Sequence, residues 1–86
     1  MKRLIFSKKV ERFLAKTQES DQRLFDQFIQ ALNKISENPY VGKKLVGNLA
    51  GYYSYRVSDY RVIFEIKKGE LLVYIEKIGH RRDVYK

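Results

Sequence analysis

The chain has 86 residues, no cysteine, one histidine and a net charge of +8, with 44% of its residues apolar and 33% charged. This is the composition of one folded domain, taken as residues 1–86; a chain of this size buries only about 60–65% of its unfolded surface, leaving no room to enclose a large cofactor. Disulfides, thiolate metal sites and cysteine nucleophiles are excluded, no apolar run reaches the roughly 18 residues of a membrane span, and Leu4-Ile5-Phe6 is too short for a signal-peptide core, so a soluble, cytoplasmic protein without a membrane is expected.

In chain order, Arg3 to Ser7 reads as a short first strand. Ser7 then caps a helix in which Val10, Phe13 and Leu14 fall at helical spacing. The polar run Glu19-Ser20-Asp21 breaks that helix and caps the next. There Leu24, Phe25, Phe28, Ile29, Leu32 and Ile35 line one face, with Asp26, Gln27, Gln30, Asn33 and Lys34 opposite. This second helix ends at Glu37-Asn38-Pro39, because a residue before proline is disfavoured in the helical region.

The period then changes to two. Tyr53, Tyr55 and Val57 alternate with Ser54, Arg56 and Ser58; Tyr60, Val62, Phe64 and Ile66 alternate with Arg61, Ile63 and Glu65. A hairpin turn over Lys67-Lys68-Gly69-Glu70 leads to a last strand from Leu71 to Ile78. Short strands joined by tight turns make an antiparallel meander. The predicted fold is α+β with order βααβββ: a helical hairpin packed on a small, mostly antiparallel twisted sheet whose other face is partly open.

Little of the usual catalytic chemistry is available. One histidine, no cysteine and scattered carboxylates offer no metal-ligand spacing, so no metal is expected. The five glycines form no phosphate-cradling loop, and no nucleophile elbow accompanies His80. What remains is basic and aromatic. From Gly42 onward there are ten Lys/Arg against five Asp/Glu, and before it eight against five. An excess of positive charge favours polyanions through counterion release, and an acidic protein partner equally.

Lys43 and Lys44 precede the meander, Arg56 and Arg61 sit within it, and His80, Arg81, Arg82 and Tyr85 follow it. Arginine presents a planar, permanently charged fork to phosphate oxygens. Tyrosine can stack on an unpaired base or take part in proton transfer. The plainer reading makes Arg56 an ion-pair partner of Asp59 or Glu65, and Arg61 of Glu76. RNA can be cut without a metal, because its 2′-hydroxyl attacks the adjacent phosphorus. The protein must then orient the strand, stabilise the added negative charge and move protons.

Four segments together resemble the RelE/ParE superfamily of toxin–antitoxin toxins, in its RelE-like branch: Lys44-Leu45-Val46-Gly47, Gly51 to Val57, Asp59 to Phe64, and Ile78 to Tyr85. With the helical hairpin and its proline stop, the resemblance covers nearly the whole chain. It implies co-expression with a cognate antitoxin, binding through an acidic or amphipathic segment, and cofactor-free cleavage of messenger RNA in the ribosomal A site. It implies Arg56, Arg61 and Arg81 as phosphate or transition-state contacts, and Tyr85 as the group stacking on or activating the substrate. His80 stands beside them where a basic residue is common. Lys43, Lys44, Arg82 and Lys86 are assigned as further RNA contacts.

The sequence departs from that pattern at one place. Ser54 stands where the nuclease branch carries a lysine, and Lys43-Lys44 where one relative has a glutamate base. The general base is thus unassigned, with Lys43, Lys44 and His80 as candidates. Two alternatives stay open: a ParE-like inhibitor of DNA gyrase, and a weakly active or non-toxic relative that only binds its antitoxin.

Overall fold

The computed structural model describes residues 2–67 and 72–82. Strand β1 spans Arg3–Phe6, helix α1 Lys8–Ser20 and helix α2 Gln22–Glu37. Strands β2 (Lys43–Lys44), β3 (Tyr52–Val57), β4 (Tyr60–Lys67) and β5 (Leu72–His80) follow. They form one sheet in the order β1-β5-β4-β3-β2, with β1 parallel to β5 and the other pairs antiparallel. Among the described residues no helix is long and apolar enough to cross a membrane.

Short polar side chains set the helix ends. Ser7 Oγ accepts the Val10 N–H at 3.2 Å and donates to the Glu76 carbonyl at 2.9 Å, tying the start of α1 to β5. The break between the helices is narrower than the polar run suggested. Asp21 alone closes α1 through its N–H to the Thr17 carbonyl, and opens α2 through Oδ1 accepting from Leu24. Asn38 ends α2 and caps the short 3₁₀ turn begun by Pro39.

One face of the sheet packs on the helices. Val57, Val62, Phe64, Val73, Ile75 and Ile78 meet Val10, Phe28, Ala31, Leu32 and Ile35. Within this core Phe13, Phe28 and Tyr60 stack edge to face or tilted, with ring centroids 5.4–5.7 Å apart. Ile29, expected on the buried stripe, lies at its margin with 38% exposure, while Ala31 takes a place inside.

Three features lay beyond the hydrophobic pattern. Strand β2 is too short to show alternation, and it makes the sheet five-stranded. Strand β5 runs two residues past Ile78, because the Arg81 N–H to Asp59 carbonyl bond (2.8 Å) continues its pairing alongside the β3–β4 turn. Within β5 the register shifts: Ile63 faces Lys77 but Phe64 faces Ile75, leaving Glu76 as the extra residue of a bulge. The expected turn beyond Lys67 lies outside the described residues.

Gly42 is needed for space. Its backbone is ordinary, with φ −75°, but a Cβ there would lie 2.6 Å from Cζ of the buried Phe64 ring. Gly42→Ala should therefore cost about 1–3 kcal/mol of stability, read as a lowered urea midpoint; an unchanged midpoint would mean the ring moves aside freely.

Candidate functional site

The site is built by the β3–β4 hairpin and the end of β5. Ser58 and Asp59 make a two-residue turn, with Ser58 in the left-handed region at φ 55°. That turn fixes the pairing Val57↔Tyr60, Arg56↔Arg61, Tyr55↔Val62 and Ser54↔Ile63. Since paired residues share a face and neighbours alternate, the core positions Tyr53, Tyr55 and Val57 put Ser54 and Arg56 on the other, open face. Arg61 and Ile63 accompany them. Ile63 is 4% exposed, yet it stands apart from the helix-facing core.

Two cross-strand rows result on this face. One runs Lys43, Ser54, Ile63, Lys77; the next runs Arg56, Arg61, Gly79. Arg56 and Arg61 are directly opposite, an arrangement that like charges make unfavourable. Neither is neutralised by an acidic side chain among the described residues. Arg56 Nε donates to the Ser58 carbonyl at 3.1 Å, and Arg61 Nη1 donates to Ser54 Oγ at 3.3 Å. The ion pairs with Asp59, Glu65 and Glu76 are not formed; Glu65 pairs with Lys67 instead, at 3.1 Å. Arg61 is half-buried and Arg56 exposed, so the pair presents two guanidinium groups held by neutral acceptors.

The bond from Arg81 N–H to Asp59 brings the exposed Arg81 and Arg82 beside the same turn. The chain thus sets Arg81 beside the turn that joins the strands of Arg56 and Arg61. Lys43 joins that face at its far edge, whereas Lys44 pairs with core-packed Tyr53 on the other. His80 lies on the opposite face from Arg56 and Arg61. Its partner is Tyr60, whose ring it meets edge-on at 5.7 Å on the helix side, and its Nδ1 accepts the Arg82 N–H at 3.3 Å. Tyr85 and Lys86 lie outside the described residues.

Sequence reasoning missed Lys77 on the arginine face and the link between Ser54 and Arg61. The first had a signal in the core spacing Val73, Ile75, Ile78, where a step of three replaces a step of two. The second had none, because Ser54 alternates like any strand residue.

Beside the site, β2 covers only Tyr53 and Ser54, so among the described residues Tyr55 to Val57 form the outer edge of the sheet. A groove of about 380 Å³ runs between that edge and α2, lined by Gln27, Gln30, Lys34, Tyr55, Arg56 and Ser58 among others. Among the described residues no three His, Cys, Asp or Glu side chains gather as a cation site.

This chain matches a known family over residues 4–85, described as ParE toxin of type II toxin–antitoxin system, parDE. It is 37% identical over 57 residues to Toxin RelG of Mycobacterium tuberculosis (strain ATCC 25618 / H37Rv); the match takes in 65% of this chain and spans 66% of RelG, just under two thirds. Among solved structures it resembles the toxin–antitoxin complex RelBE2 of Mycobacterium tuberculosis, with TM-score 0.78 and 29% identity over 93% of this chain and 98% of that one. The YoeB/ParE toxin of Agrobacterium tumefaciens superposes with TM-score 0.81 at 17% identity, covering 91% of this chain and 96% of its own, a likeness of fold alone.

Proposed function

We propose, because this chain belongs to the RelE/ParE toxins of type II toxin–antitoxin systems, that it is an endoribonuclease cutting messenger RNA in the ribosomal A site. The observation that carries this reading is the facing pair Arg56 and Arg61, joined by Arg81 and unpaired with any described carboxylate. Such a pair weakens the sheet unless an anion sits between its members, and guanidinium forks suit phosphate oxygens.

In the proposed reaction the 2′-oxygen attacks the adjacent phosphorus and the bond to the 5′-oxygen breaks. The products end in a 2′,3′-cyclic phosphate and a 5′-hydroxyl. The 2′-hydroxyl loses its proton to a base, and the departing 5′-oxygen takes one up. Arg56, Arg61 and Arg81 stabilise the charge added at phosphorus. Tyr85 stacks on the neighbouring base or relays a proton. Lys43 is the remaining base candidate on the arginine face, and Lys44, Arg82 and Lys86 track the backbone. His80 is given a supporting role: its ring packs on Tyr60, and its Nδ1 holds the Arg82 backbone.

The partner proposed for the unused groove is a cognate antitoxin. Toxin–antitoxin complexes stand among the similar structures, and the groove adjoins the exposed Arg56 and a strand edge that is unpaired among the described residues. An acidic, amphipathic segment laid there would pair with the edge and cover that charge.

A purified chain should cut an A-site codon on programmed ribosomes, leaving a 5′-hydroxyl. A 2′-deoxy substitution at the cut nucleotide should stop it. A second reading, inhibition of DNA gyrase, is favoured by the ParE description of the matched family. It predicts that the chain blocks supercoiling by purified gyrase and leaves ribosome-bound messenger intact, the outcome that would overturn the nuclease.

A further inference from the structure

Lys77 is where the meander departs from regular geometry. Val73 and Ile75 face the helices, so unbroken alternation would send Lys77 into the core and Ile78 out to the open face. The bulge at Glu76 reverses this. It returns Ile78 to the core at 8% exposure, and places Lys77 across from Ile63 on the arginine face. The phase change is held from outside the sheet, since the Glu76 carbonyl accepts the Ser7 hydroxyl at 2.9 Å.

That position matters because of its neighbours. Lys77 lies in the same cross-strand row as Lys43 and Ser54, one strand pair removed from Ser54 through Ile63. It is diagonal to Arg61, whose direct partner on β5 is Gly79; diagonal neighbours in a sheet are about 7–8 Å apart, within reach of a lysine stem. Arg61 itself is anchored to Ser54 Oγ. The row thus has a hydroxyl where it meets Arg61 and an ammonium within reach of the same guanidinium. Placing a third cation near Arg56 and Arg61 raises repulsion inside the sheet, an arrangement that an oxyanion ligand offsets.

We propose that Lys77 is a catalytic residue, donating from its ammonium to a non-bridging oxygen of the phosphate that Arg61 binds. This rests on the nuclease reading above. The bulge is then the device that aims it. Lys77 acts as a fixed charge and exchanges no proton in the step.

The test is single-turnover cleavage of an A-site codon on programmed ribosomes, at saturating toxin. Compared are the unmodified chain, Arg61→Ala, Lys77→Ala and Lys77→Arg, each checked for an unchanged thermal midpoint. Lys77→Ala should slow the cleavage step on the order of 10²-fold, as loss of one charge-stabilising donor does, and Lys77→Arg should recover most of it. If Lys77→Ala stays within about threefold of the unmodified chain while Arg61→Ala is inactive, the lysine assignment is overturned and the nuclease reading stands. An arginine that recovers nothing also overturns it. An unmodified chain that does not cut contradicts the nuclease reading, and the lysine assignment with it.

Discussion

Arg61→Ala should abolish the toxin's effect, lowering messenger RNA cleavage by about 10²–10³-fold with the fold intact. Arg61 sits on a central strand, half-buried, flanked by Arg56 on one side and Gly79 on the other. Its Nη1 donates to Ser54 Oγ, which orients the guanidinium, and in the proposed reaction its remaining N–H groups would meet the phosphate. A fixed, permanently charged donor costs no reorganisation when charge builds on phosphorus. Removing it also relieves the repulsion with Arg56, so the thermal midpoint should not fall. Lysine at this position keeps the charge but loses the fork, and Arg61→Lys should recover only part of the rate. The effect is read as growth of cells induced for each variant, together with cleavage on purified ribosomes. Growth arrest as strong with Arg61→Ala as without it would remove the arginine from the mechanism.

The largest expected effect on stability belongs to Phe28→Ala. Phe28 is fully buried at the centre of the interface between helix and sheet, edge-on to both Phe13 and Tyr60. Truncation removes its burial, two ring contacts and the filling of a space that the rigid sheet cannot close. Such changes cost about 3–5 kcal/mol, against a total of about 5–15 kcal/mol for a folded domain. Urea unfolding should show the midpoint falling by about a fifth or more at unchanged slope. A loss below about 1 kcal/mol would mean the helices repack over the gap. Tyr60 links this core to the site, since its other ring neighbour is His80. Loosening Phe28 should therefore disturb the chain direction at Arg81 and Arg82 as well.

Local chemistry made much of this fold legible. Ser7, Asp21 and the Asn38-Pro39 stop act through bonds to their near neighbours, so helix starts and ends can be read from single residues. The alternation in β3 and β4 placed Arg56 and Arg61 on strands, and a two-residue turn then makes them direct partners. What could not be read depends on long-range pairing. The two residues of β2 carry no period, and the parallel match of β1 to β5 joins segments far apart in the chain. The bulge in β5 decides which face Lys77 and His80 occupy, and it is fixed by a strand pairing and by Ser7. A face assigned from alternation alone fails beyond such a point. His80, close in sequence to Arg81, consequently packs on the helix side with Tyr60.

The central claim is that the open-face arginines serve cleavage of messenger RNA on the ribosome. Its most direct test is to induce the chain alone in growing cells and map messenger RNA 5′ ends on translating ribosomes. New 5′-hydroxyl ends are expected inside A-site codons within minutes of induction, absent with Arg61→Ala. Growth arrest with no new ends, and with supercoiling lost instead, would contradict it.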